Sequence, residues 1–420
     1  MIIWSLLAFL SVFGSGILHA QTADDFSIPP QVRFMRAYGG SNETQPPIVI
    51  MPLKTNSSFN PPIGERQVTI EMDVQASIPP SLYVKFVHCT IDWKEDDNIF
   101  LNDATILRTS NIEWQTAPAG ARFYSFRGRV RVPDEQVKFP YAGNWKAKFY
   151  NYDNEHEAFA EARFFVVNPV AYAEVNVWSS FYEPKLQVSP SALIIETQVA
   201  ADNNIYDSRL RTVTLYRNHR WQEPLLISQD PKMRSLKNVY GLDFPTSVGG
   251  FLNVAKRFRI ENIPAQNDYR VLDLSNTAQY PRISAAQRLP LNDLPRSGSS
   301  MFRADDGAML TYAIAPTDDD YVVMEFTLET DGRVPTEEVF VTGSFNNWTP
   351  TREWQMYYDE KDRLLKLRAP MRRGRHNYLY ATGKLNVETN RVEELSFERY
   401  EGNNSSAPLS FISLVYYRET

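Results

Sequence analysis

The stretch Tyr83-Val-Lys-Phe-Val-His-Cys-Thr-Ile-Asp-Trp93 decides the fold. Its side chains divide with period two. Tyr83, Val87, Cys89, Ile91 and Trp93 fall on one face, and Phe86, His88 and Asp92 on the other. That spacing predicts a buried β-strand at the centre of a β-sandwich.

The flanking sequence alternates in the same way. Residues 68–74 place Val68, Ile70, Met72 and Val74 inward and Thr69, Glu71 and Asp73 outward, the pattern of a half-exposed antiparallel strand. Residues 123–132 set Tyr124, Phe126, Val130 and Val132 against Arg127, Arg129 and Arg131. Strands over 143–152 and 158–167 complete a first sandwich in residues 21–168, with an N-terminal arm carrying short strands at 31–38 and 48–53. Strands at 192–199, 210–216, 254–260 and 269–274 predict a second sandwich over 169–295, and 279–301 reads as a linker. Strands at 321–328, 338–342, 354–358, 364–369, 376–382 and 409–417 predict a third over 296–420. No segment of useful length has a helical period. The fold class expected is therefore all-β, with tandem immunoglobulin-like or early-set β-sandwiches.

Composition agrees. Aromatic residues make up 13% of the 420, and 27 Pro outnumber 18 Gly, which favours sandwiches over helical bundles. A net charge of -6 argues against nucleic acid as a partner, because phosphate binding needs a basic face. The single cysteine, Cys89, rules out a disulfide within the chain and reads as a buried thiol. Residues 2–18 are almost wholly apolar, and Leu18-His19-Ala20 before Gln21 has the form of a signal-peptidase site. Residues 1–20 are thus expected to be a signal peptide, although they carry no Lys or Arg ahead of the apolar run. A large exported chain without disulfides fits a bacterial periplasm.

Convergent reactive groups are not visible. His88, His156, His219 and His376 are scattered over three domains, and none stands in metal-ligand spacing with another His or Cys. The mature chain has no nucleophile elbow, P-loop or dinucleotide fingerprint. The expectation is a protein without catalytic, metal or cofactor residues. Two surface features stand out. Residues 361–375 hold seven basic residues around a hairpin, and Lys361, Arg363, Arg372, Arg373 and Arg375 are the candidates for contact with an acidic partner. The segment Val341-Thr-Gly-Ser-Phe-Asn-Asn-Trp-Thr349 is similar to the strand-turn of the glycogen-binding modules of the AMP-activated kinase β subunit and of starch-branching enzymes. That resemblance implies an early-set sandwich with Trp348 as a sugar-stacking platform. Leu379 stands where those modules carry Lys, and Gly383-Lys384-Leu385 offers no second Trp.

Taken together, the motifs resemble the plug protein family of the bacterial type IX secretion system. Phe59-Asn-Pro-Pro-Ile-Gly-Glu65 precedes the alternating acidic strand. The core of the pattern is His88, Cys89, Asp92 and Trp93, followed by Gly143, Asn144 and Trp145. Phe165-Val-Val-Asn-Pro169 closes the domain, Leu215-Tyr-Arg-Asn-His-Arg-Trp221 resembles a family turn, and Leu414-Val-Tyr-Tyr-Arg418 ends the chain. Resemblance to this family implies a non-enzymatic protein of the periplasm, held at the inner face of the outer membrane and monomeric when free. Its partner would be the outer-membrane barrel translocon, whose periplasmic mouth it seals when cargo is absent. The competing expectation is a periplasmic carbohydrate-binding protein that uses the segment containing Trp348.

Overall fold

The computed structural model describes residues 30–52, 66–98, 100–102, 107–180, 191–201, 209–251, 255–282 and 285–417. The expected signal peptide and the segment Phe59–Glu65 lie outside the described residues.

The first sandwich uses β1 (Gln31–Gly39), β2 (Ile48–Ile50), β3 (Val68–Gln75), β4 (Leu82–Cys89), β5 (Arg108–Thr109), β6 (Glu113–Thr116), β7 (Phe126–Val132), β8 (Gly143–Asn151) and β9 (Ala160–Val167). These form two sheets, ordered β1-β3-β7-β6 and β2-β9-β8-β4-β5. The inward residues of both sheets share one core, in which Ile70, Met72 and Val74 face Val84, Phe86, Trp145 and Phe164. The opening stretch is thus a paired strand, but it ends at Cys89. Beyond it Trp93 turns to a φ of 62°, so the strand alternation does not extend to Asp92 and Trp93. Its core-facing side carries Val84 and Phe86. Tyr83 and Cys89 lie on the other face, yet both are buried.

The second sandwich is built from β10 (Ala171–Ser180), β11 (Ala192–Ala201), β12 (Leu210–Arg217), β13 (Leu225–Ser228), β14 (Thr246–Phe251) and β15 (Ala255–Pro264), with one helical turn, α1 (Pro231–Arg234). The third uses β16 (Arg270–Asp273), β17 (Gln287–Arg288), β18 (Tyr321–Glu329), β19 (Glu338–Gly343), β20 (Tyr357–Asp359), β21 (Leu364–Arg372), β22 (Arg375–Asn386) and β23 (Arg391–Ser396), then α2 (Glu398–Glu401). The last strand, β24 (Phe411–Tyr417), does not stay with the third sandwich, where the sequence reading placed it. It pairs antiparallel with β12 to give the sheet β13-β12-β24, opposite β10-β11-β15-β14. In exchange β16 and β17, read as second sandwich and linker, join the sheets of the third: β16 pairs β22, and β17 pairs β18. Strand alternation gives the faces of a strand but not its neighbour, so this crossing-over carries no local signal.

The all-β expectation holds. Both α-helices are single turns, and among the described residues no helix is long and apolar enough to cross a membrane.

Candidate functional site

The site is defined by what the three sandwiches do to one another. Each pair meets along a buried seam, and each seam has its own chemistry.

The first–third seam is ionic. Glu71 and Asp73 on β3 lie opposite Arg129 and Arg127 on β7. This face, expected to meet solvent, instead meets the third sandwich. Glu71 is fully buried and holds Arg36 at 2.9 Å, Arg129 at 2.6 Å and Arg372 of β21 at 2.6 Å. Asp73 pairs with Arg127 at 2.6 Å and accepts a hydrogen bond from the Tyr321 hydroxyl at 2.8 Å. Asp319 closes the network onto Arg127 and, at 3.3 Å, onto Arg372. Glu43 binds both Arg36 and Thr311. Burial works to raise the Glu71 carboxyl, but Arg372, Arg36, Arg127 and Arg129 outweigh it and hold the group well below the usual carboxylate range. A visible hint existed in the sequence: two acids and two arginines at matching positions of adjacent strands, with Asp318-Asp319-Asp320 far downstream.

The first–second seam is apolar, and the family-motif residues build it. Cys89 and Trp93 pack with Phe165, Tyr216 and the partly buried Trp221 and Leu414. Burial pushes the Cys89 thiol up to about 11, so the thiolate that reacts with oxidants or metals is scarce near neutral pH. Asn144 donates from Nδ2 to the carbonyls of Thr90 and Ile91, and its Oδ1 accepts from the Tyr416 hydroxyl at 2.7 Å. It thereby ties the turn after β4 to the last strand of the chain. His88 sits edge-on to Trp145 at 5.2 Å, and its Nδ1 lies 3.5 Å from Asp96. Gly143 has a φ of 143°, and a Cβ there would lie 2.4 Å from His88 Nε2, so no side chain fits. Asp92 points away from this group, bonded to Thr90 and Lys94. The structure therefore gathers His88, Gly143 and Trp145 at one place, Cys89 and Trp93 at the seam, and leaves Asp92 in a turn.

The second–third seam continues the core of the second sandwich. Phe340, Trp348, Leu379 and Ala381 of the third pack with Leu215, Phe258 and Tyr269 of the second. Trp348 is 2% exposed, donates from Nε1 to the Gly307 carbonyl at 3.0 Å, and stacks near Tyr269 with ring centres 4.7 Å apart. Arg220, fully buried beside it, pairs with Glu223. Trp348 is thus no sugar-stacking platform: both its faces and its polar edge are used inside the protein.

The basic hairpin divides as well. Arg372 is consumed by the ionic seam. Arg373 is 1% exposed and donates to the carbonyls of Leu274 and Tyr280. Both are removed from the set that could reach another protein, because burial and internal partners leave no accessible charge. Arg375 is half-buried on Asp305 at 2.8 Å, and Lys361 and Arg363 remain exposed.

His376 lies under the ionic seam, fully buried, with Nε2 2.7 Å from the Arg372 carbonyl oxygen and Nδ1 3.3 Å from Ser344 Oγ. Burial pushes its imidazole down to about 4, with the Arg372 carbonyl opposing and the Arg372 and Arg36 cations assisting. The folded protein thus keeps it neutral while the unfolded chain protonates near 6.5. The stability this contributes is complete above pH 6.5 and is lost as pH falls from 6.5 towards 4, by about 3 kcal/mol in all. Unfolding measured in denaturant at pH 7 and pH 4.5 should show this loss, and His376→Gln should show a smaller pH dependence over the same interval.

Fold and seams define a class: a protein of three interlocked β-sandwiches with its charged and aromatic residues turned inward to join domains. Residues 48–168 match the family model for the Type 9 secretion system plug protein 1st domain. The match links the chain to type IX secretion. Among solved structures, a hypothetical protein from Parabacteroides merdae ATCC 43184 superposes with a TM-score of 0.69 at 18% identity, over 93% of each chain. That likeness shows a shared fold for nearly the whole chain. A complex of Dpr2 Ig1-Ig2 with DIP-Theta Ig1-Ig3 aligns at a TM-score of 0.18, 13% identity, over 57% of this chain and 88% of the other, which carries no argument. No curated protein matches.

Proposed function

We propose that this chain is a rigid stopper of the periplasm that fills the periplasmic mouth of the outer-membrane type IX translocon when no cargo occupies it. The observation that carries the reading is the family match of residues 48–168, joined to a physical one. A pore wide enough for folded cargo is also open to other solutes, so what closes it must not flex. Domains joined by flexible linkers move by default. Here each pair of domains is locked by a buried seam, one of them ionic and two largely apolar. The contact must also release, which suits an interface of standard size, roughly 1,200–2,000 Å². The exposed tip of the β20–β21 hairpin, Lys361 and Arg363, is the proposed contact that survives from the basic stretch.

The test is recovery of the outer-membrane barrel with the affinity-tagged chain from membrane extracts. Recovery is expected, and Lys361→Glu with Arg363→Glu should reduce it severalfold while the melting temperature stays put. Unchanged recovery in the double variant removes that hairpin from the interface. Failure of the wild-type chain to bring any barrel with it removes the stopper reading itself.

A further inference from the structure

The second sandwich leaves one edge open. Strand β10 is outermost in its sheet and pairs with β11 without a register break, from Ala171 opposite Ala201 to Ser180 opposite Ala192. Among the described residues no strand pairs with its other side. An unpaired row of N–H and C=O groups is a template for a further strand, and proteins guard such rows with short strands, bulges, Pro or Lys. Several other edges of this protein are guarded, although β24, seven residues without a charge, is not. Strands β5 and β17 span two residues, β2 and β20 three, and β6 and β13 four. Strand β1 has a register break, and its Met35 carbonyl is taken by Asn347. Strand β10 has none of these devices. Its ten residues, Ala-Tyr-Ala-Glu-Val-Asn-Val-Trp-Ser-Ser, hold no Pro, Lys or Arg and a single charge, Glu174. Tyr172 is 68% exposed, Val177 43% and Trp178 44%.

We infer that β10 pairs antiparallel with β10 of a second copy of this chain, making one continuous sheet of eight strands across a twofold axis at Val175. The sequence of the strand is what selects this occupant. With Val175 opposite its own copy, Trp178 of one chain faces Tyr172 of the other, an aromatic cross-strand pair formed twice. Asn176 faces Glu174, a hydrogen-bonding pair, also formed twice. Ala173 faces Val177. No like charges meet, and residues opposite one another lie on the same face of the joined sheet, as antiparallel pairing requires. The register works whichever alternate set of residues directs its backbone groups outward, because the twofold axis passes through a residue. A closed twofold pairing also consumes the edge on both copies, so growth stops at two. The proposal differs from the monomer that the family resemblance implies, and it does not depend on the stopper reading, since its test uses the purified chain alone.

Sedimentation velocity of the purified protein over a concentration series should show a monomer–dimer equilibrium. Asn176→Glu sets carboxylates face to face at two places and is expected to raise the dissociation constant about tenfold. Asn176→Lys sets opposite charges there and should lower it by a similar factor. Glu174→Lys combined with Asn176→Glu exchanges the two sides of the pair made by Asn176→Lys and should associate as tightly as that variant, which a merely structural role for either residue would not do. Both positions are on the sheet surface, so thermal melting of every variant should match the wild type. A wild-type chain that stays monomeric up to about 100 µM overturns the proposal and leaves the edge to a strand from another protein. Equal effects of Asn176→Glu and Asn176→Lys overturn the register.

Discussion

Glu71→Ala is expected to lower the unfolding free energy by about 3–5 kcal/mol and to loosen one seam ahead of the rest. The reason lies in what remains after the carboxylate is gone. Arg36 and Arg372 are 8% and 2% exposed, and both rely on Glu71 at hydrogen-bond distance. With it removed, Arg36 keeps Glu43 and Arg372 keeps Asp319, but the buried arginines then outnumber the carboxylates that hold them, and breaking a buried pair on one side costs far more than the intact pair contributes. An exposed pair gives the contrast. Lys384 and Glu394 meet at 2.6 Å with side chains 73% and 55% exposed, so Lys384→Ala should cost below about 1 kcal/mol. Amide exchange checks where the damage falls. Protection should drop first in β1, β3, β7, β18 and β21, while β11 and β15, on the far side of the second sandwich, keep theirs. Uniform loss throughout the chain would mean the seam does not open separately.

Acid should act on the same seam. Glu71, Asp319 and Glu43 all have carboxyl groups held low by arginines, against the burial that would raise them. For such groups the added stability is present above the unfolded carboxylate range and is lost as pH falls through the folded value. The His376 contribution, lost between pH 6.5 and 4, comes earlier. Mild acid therefore weakens the joint between first and third sandwiches from its base before the carboxylates themselves are protonated.

Much of this fold could be read from the chain, and the reason is period two. Strands β3, β4, β7, β8, β9 and β21 alternate apolar and polar residues, so their presence and inner faces follow from spacing alone. The outer faces did not follow. Glu71 and Arg127 read as solvated because charged side chains on one face of a sheet usually meet water; only the approach of β21 and Asp319, some 190 to 300 residues downstream, turns that face into an interior. Strand β10 escaped notice for the opposite reason: its larger side chains Tyr172 and Trp178 are on the exposed face, which inverts the usual contrast. The candidate residues divided along the same line. Those in tight local geometry, His88 with Gly143 and Asn144 with the turn after β4, ended up together. Those judged by apparent exposure, Arg372, Arg373 and Trp348, were misread, since exposure is decided by the neighbouring domain.

Trp348→Ala is expected to cost about 3–5 kcal/mol in denaturant unfolding, with no effect on carbohydrate binding because there is none at this residue to lose. The indole fills the joint between second and third sandwiches, touching Tyr269 and lying 5.1 Å from the Arg220 guanidinium. Truncation empties that volume and also strands two polar groups: the Gly307 carbonyl loses the indole donor, and Arg220 loses an aromatic face while still charged and fully buried. Transfer and cavity terms therefore act together with a desolvation cost. Trp348→Phe should recover part of the loss, since it refills most of the space but returns no hydrogen bond to Gly307. The paired measurement is mobility in glycogen-containing native gels, where wild type and variant should migrate as they do without glycogen. Retardation of the wild type, abolished in a Trp348→Ala protein of undiminished stability, would put the ring at the surface and break the second–third seam described above.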